Sequence, residues 1–140
     1  MPKILPRVQA MVLADQVYHD RATGKKVIAG TFNHIWSKEF PAKYRTTTYL
    51  YVNLTEIRGK CGLTMKWVDL ADASVLLNSP TIEVDTQDPL ANAEFAVEIP
   101  PFPLPHAGVF AFELYADANR IGSIRVKVDQ AAAEKDDVGE

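Results

Sequence analysis

The stretch Ala93-Glu94-Phe95-Ala96-Val97-Glu98-Ile99 decides the fold class. Ala93, Phe95, Val97 and Ile99 fall on one side of an extended chain, with Glu94, Ala96 and Glu98 on the other. The segment therefore reads as a strand with one buried and one wet face. Downstream, Phe110, Phe112 and Leu114 repeat the pattern. After Asp117-Ala118-Asn119-Arg120 it resumes in Ile124, Val126 and Val128, alternating with Arg125 and Lys127, which makes a hairpin with a short polar turn. Between the two, Pro100-Pro101-Phe102-Pro103-Leu104-Pro105 places four prolines in six residues. Prolines cannot donate ladder hydrogen bonds, so this piece reads as an extended crossing from one sheet to the other, with Phe102 and Leu104 packed over the open end of the core.

Working toward the N-terminus, Leu63, Met65 and Trp67 alternate with Thr64 and Lys66, then Val68 and Leu70 shift the phase by one, as a bulge near Val68 would do. Val75 to Val84 is a strand candidate interrupted by Pro80, which places it at a sheet edge. Thr46 to Thr55 is rich in β-branched and aromatic residues. Arg7 to His19 and Val27 to Ser37 flank a turn at Asp20 to Lys26 and read as one long N-terminal hairpin. The expectation is an all-β, antiparallel two-sheet β-sandwich of about eight strands, Ig-like or similar, over residues 1–129, followed by an acidic tail at 130–140.

Composition narrows the function classes. The chain has 140 residues, 47% hydrophobic and 24% charged, which suits one self-sufficient globular domain. The net charge of -3 disfavours nucleic acid or an acidic lipid surface as partner. No apolar run approaches the roughly 18 residues a membrane helix needs, and the N-terminal apolar stretch, interrupted at Gln9 and ended at Asp15, is too short for a signal-peptide core. A single cysteine excludes an intrachain disulfide and fits a reducing compartment, so a cytoplasmic location is expected.

Each candidate site has a bland counterpart. His19, His34 and His106 stand at no metal-ligand spacing, and in the expected hairpin register His19 and His34 lie ~20 Å apart. Cys61, in the turn-like Arg58-Gly59-Lys60-Cys61-Gly62, has positive neighbours but no base at a recognisable offset. In an up-and-down strand order Asp20, Asp85, Asp88 and Asp117 would meet at one end, and carboxylates are the ligands calcium wants. Aspartate is equally the expected turn residue, because its side chain bonds local backbone donors. Phosphate-binding glycine loops and nucleophile elbows are absent, so no enzyme and no cofactor is expected, with binding of calcium or a small ligand by the loop carboxylates as the alternative.

One feature resists a bland account. In Thr46 to Thr55, Tyr49 and Tyr51 oppose Leu50, Val52 and Leu54, and in Arg7 to His19 both faces are again apolar. A sandwich strand needs only one buried face. Either the chain's own Trp36 to Tyr44 segment covers the second, or a protein partner or another copy of the chain does. Tyr49, Tyr51 and Trp36 are the residues expected on such an interaction surface.

The run Met11-Val12-Leu13-Ala14-Asp15-Gln16-Val17-Tyr18, with Thr23-Gly24-Lys25, Ile28-Ala29-Gly30-Thr31-Phe32-Asn33-His34-Ile35-Trp36 and Phe40-Pro41, resembles the opening of a family of small bacterial proteins of unknown function. Pro105-His106-Ala107-Gly108-Val109-Phe110-Ala111-Phe112-Glu113-Leu114 with Ile121-Gly122 is similar to that family's last hairpin, and also to a hairpin common in Ig-like bacterial domains. The resemblance implies a bacterial cytoplasmic protein and brings no catalytic residue with it.

Overall fold

The computed structural model describes residues 4–132. Its strands follow the hydrophobic alternation of the sequence. The first sheet is antiparallel throughout and has the order β2 (Lys26–Thr31), β1 (Arg7–His19), β5 (Thr48–Thr55), β9 (Ala93–Ile99). The second runs β3 (His34–Ser37), β12 (Asn119–Gln130), β11 (Gly108–Ala116), β6 (Gly59–Asp69), β7 (Ser74–Asn78), and β8 (Ile82–Thr86) also pairs with β6. A short pair, β4 (Ala42–Tyr44) with β10 (Phe102–Leu104), lies at the end where β5 begins and β9 stops. The all-β two-sheet sandwich expected from the sequence is what the chain forms.

The inner faces meet in one core. Leu13, Leu50, Val52 and Leu54 come from the first sheet, and Leu63, Met65, Trp67, Phe110, Phe112, Leu114, Val126 and Val128 from the second. Trp67 stacks on Phe110 at 5.2 Å between centroids and touches Phe112 and Phe102 at 4.4 and 4.7 Å. Each such side chain fully buried contributes about 1.5–3 kcal/mol. The Trp67 indole N–H finds its required acceptor in the Pro103 carbonyl at 2.8 Å, which ties the Pro-rich crossing to the core. Phe102 and Leu104 are buried there as expected, and Pro103 is tolerated because the crossing makes only a two-stranded ladder.

The β11–β12 hairpin turns at Asp117 and Ala118, both at positive φ (46° and 75°), the combination a two-residue turn needs to match strand twist. The register of β7 on β6 slips between Trp67 and Val68, the bulge that the phase change implies. Pro80 divides the Val75 to Val84 candidate into β7 and β8, which pair with successive parts of β6.

Three expectations need correction. The long N-terminal hairpin holds only through Thr31; the chain then leaves β1, and β3 crosses to the other sheet, where it pairs parallel with β12. Parallel pairing with a strand some 90 residues away has no local signature. Cys61 is not in a turn but on β6, opposite Val84 and buried, because the chain reverses earlier, at Glu56 and Gly59, whose φ values are 60° and 78°. The strands number twelve among the described residues rather than about eight, since Pro80 and the Phe32-Asn33 break each divide one expected strand and the β4–β10 pair adds two. Of the tail expected at 130–140, Gln130 still belongs to β12 and the Ala131 N–H bonds the Ser37 carbonyl at 2.8 Å. Residues from 133 onward lie outside the described part.

Candidate functional site

The aspartates proposed for calcium are divided by the topology. Asp20 follows β1, at the end of the first sheet where β5 begins. Asp85 on β8, Asp88 in the loop before β9, and Asp117 in the last turn lie at the other end, where β6 starts. Asp20 accepts from the Ala22 N–H at 2.9 Å, and this bond foremost holds its carboxyl below the usual range. Asp88 accepts from Leu90 N–H at 2.9 Å and Asp117 from Gly62 N–H at 3.0 Å. These are turn-closing bonds to local or cross-strand backbone. Among the described residues no three His, Cys, Asp or Glu side chains converge as a metal ion requires.

The histidines are likewise separate. His19 is exposed near the first turn. His106, between β10 and β11, faces two acceptors: Nε2 lies 2.6 Å from Oδ2 of buried Asp69 and Nδ1 lies 2.6 Å from the Ala107 carbonyl. Both ring nitrogens must carry protons to satisfy that arrangement. The Ala107 carbonyl first, then Asp69, raise the imidazole above its ordinary value. His34, on β3, meets Asp129 on β12 at 2.6 Å and stacks its ring on Trp36 at 3.8 Å between centroids.

The surface residues Tyr49, Tyr51 and Trp36 do not share one face. Because Leu50, Val52 and Leu54 enter the core, Tyr49, Tyr51 and Asn53 point out of the four-stranded sheet. Register places Val12, Ala14 and Ala10 beside them on β1, Ala96 and Glu98 on β9, and Ala29 and Thr31 farther out on β2. This outer face is built from small apolar residues and tyrosines. The Tyr51 ring is only 7% exposed, leaning along its strand so that its hydroxyl donates to Glu94. Desolvation and then that carboxylate raise the phenol's pKa. The Trp36 to Tyr44 segment does not cover the face: its Tyr44 ring packs on Phe32 and Phe102, between the sheets, and burial raises that phenol's pKa.

Trp36 belongs to the opposite sheet. Ile35 is buried in the core, so His34 and Trp36 point outward from β3, and Trp36 is 54% exposed. Beside them runs a groove of about 640 Å³, floored by Ile35, Tyr44, Phe32 and Leu104 and walled by Lys43, Arg45 and Trp36. Sequence reading singled out Trp36 without this groove; the alternation His34-Ile35-Trp36-Ser37 was its available signal. On the same sheet's outer face, sequence reading also missed Glu113, buried yet bonded by Arg120 at 3.0 Å and the Tyr115 hydroxyl at 2.7 Å.

Comparison with known proteins adds fold and family. Among solved structures the chain is similar to the alkylpurine DNA glycosylase AlkC of Pseudomonas fluorescens bound to DNA containing an abasic site analog. That likeness has 8% identity and a TM-score of 0.53, over 89% of this chain and 30% of that one. It is one of fold, and the chain spans less than a third of the glycosylase. An immunoglobulin-like protein of Pseudomonas aeruginosa is similar at 17% identity and a TM-score of 0.41, over 89% of this chain and 97% of the other. No curated protein matches. A family model described as "Family of unknown function (DUF6941)" matches residues 9–129, and the chain belongs to that family.

Proposed function

We propose that this domain is a non-enzymatic interaction module that associates with a second copy of itself through the outer face of the four-stranded sheet. The observation that carries the reading is the composition of the middle of that face, where Ala10, Val12, Ala29 and Ala96 lie around Tyr49 and Tyr51 over a fully buried Ala14, while charge stands at its margins, Glu94 and Glu98 on the β9 border and Arg7 at the start of β1. Strands ~4.8 Å apart and 6 to 13 residues long present on the order of 550 Å² there. That clears the ~500 Å² per partner that a specific interface needs at the least. A second copy is the favoured occupant because one two-fold contact covers both uncovered faces at once. Tyrosines with small neighbours supply flat apolar area with polar tips, as interface centres do.

The glycosylase likeness supplies no DNA-binding role, since at 8% identity it concerns fold, and a net charge of -3 disfavours a polyanion. Among the described residues no helix is long and apolar enough to cross a membrane. The single cysteine, buried in the core, supports a cytoplasmic setting for the module. Light scattering across a concentration series tests the reading. A dimer that dissociates on dilution is expected, and a monomer at every concentration would overturn it.

A further inference from the structure

We propose that the groove beside β3 is a second, separate binding site, which takes an extended acidic peptide segment of a partner protein as an added strand. The ladder between β3 and β12 uses the Asn33 and Ser37 carbonyls, which accept from Lys127 and Ala131 at 3.0 and 2.8 Å. In a parallel pair alternate residues bond to the same neighbour, so the backbone groups of His34 and Trp36 point to the other side of the strand. No residue of β12 lines the groove, which places it on that free side. Among the described residues β3 pairs with β12 alone, and neither His34 nor Trp36 has a backbone partner across the groove. An unpaired edge of this kind is a template for strand addition.

The groove's walls state what the strand should carry. Alternate side chains of an added strand would turn inward onto Phe32, Tyr44 and Leu104, which is apolar ground. The others would turn outward toward Trp36, Lys43 and Arg45. Neither cation is engaged in an ion pair among the described residues, whereas His34 already has Asp129. The one acid on the lining is Asp15. Acidic residues alternating with apolar ones are therefore the complementary sequence, and the volume of about 640 Å³ falls within the ~300–1,000 Å³ of ordinary ligand sites.

The test is an array of randomised octapeptides probed with the full chain and with the Lys43→Glu/Arg45→Glu double variant. Captured peptides should alternate Asp or Glu with apolar residues, and the double variant should lose on the order of tenfold or more in affinity for them. Both changed residues are exposed; should the variant nonetheless unfold in a urea melt, raising salt with the unmodified chain must weaken capture instead. Adding the strongest array peptide should slow amide exchange at His34 and Trp36. Captured sequences without acidic alternation, salt-insensitive capture, or unchanged exchange at those two amides would each overturn the proposal. So would protection that rises with protein concentration alone, which marks a second copy, or protection already complete at the lowest concentration, which marks the chain's own residues. Failure of dimerisation through the tyrosine face leaves this test unaffected, because the two sites lie on different sheets.

Discussion

The two outer faces of the sandwich are finished differently. On the six-stranded sheet, Glu113 is held by Arg120 and Tyr115, Lys66 lies 4.3 Å over the Tyr115 ring, and Asp129 meets both His34 and Lys127. Each of these charges has a partner. On the four-stranded sheet the middle of the face is Val12, Ala14, Ala29, Tyr49, Tyr51 and Ala96, with Arg7, Glu94 and Glu98 at its margins. Both faces are strands of the same core, so core formation does not require this difference. An apolar outer face costs solubility unless something covers it, and that contrast is the basis for reading it as an interface.

The largest effect that would break the contrast is on the charged face. Glu113→Ala removes the buried acceptor of the exposed Arg120 guanidinium and of the Tyr115 hydroxyl, and should cost about 1–3 kcal/mol in urea unfolding, with Glu113→Gln between it and the parent. A cost below that range would mean the charged face is decoration, and the two faces would differ in chemistry only. Gly30→Ala should cost about 1 kcal/mol. Gly30 has φ 76°, and an added Cβ would approach Asp15 Oδ2 to 2.6 Å, so the Asp15 side chain would have to give way in addition to the backbone strain.

The end of the core offers a smaller, pH-dependent effect that belongs to neither face. His106 has a folded pKa above its ordinary ~6.5, so the stability it contributes is complete below that value and is lost as pH rises through the folded pKa. His106→Gln should therefore be less stable than the parent at pH 6, and the gap between their urea midpoints should close toward pH 9. A gap independent of pH would show that the Asp69 and Ala107 contacts act as ordinary packing.

The sequence carried the strands whose faces differ in polarity. Phe95 and Val97 against Glu94 and Glu98, or Val126 against Arg125, show a period of two that needs no partner to be read. The Val68 bulge and the Pro80 interruption were equally local. What was hidden depended on distant pairing. Nothing in His34-Ile35-Trp36-Ser37 announces a parallel partner at residues 127–130, so Trp36 appeared to belong with the tyrosines when it lies on the other sheet. The burial of Asp69 and Glu113 has no local signal, and it makes sense only with His106, 37 residues on from Asp69, and Arg120 across the hairpin from Glu113. The aspartates grouped for calcium needed an up-and-down order, and the crossing of β3 together with the β6 pairings sends Asp20 to the opposite end from the rest.

The smallest stability effect goes with the most informative experiment. Val12→Arg and Tyr49→Arg place charge at the centre of the four-stranded sheet's outer face, outside the core, and together should change unfolding free energy by less than about 1 kcal/mol. Light scattering of the parent and the double variant over the same concentration range then tests whether this face is the dimer interface. The parent should form a concentration-dependent dimer and the variant a folded monomer. A parent that stays monomeric throughout, or a variant that dimerises as the parent does, would contradict it.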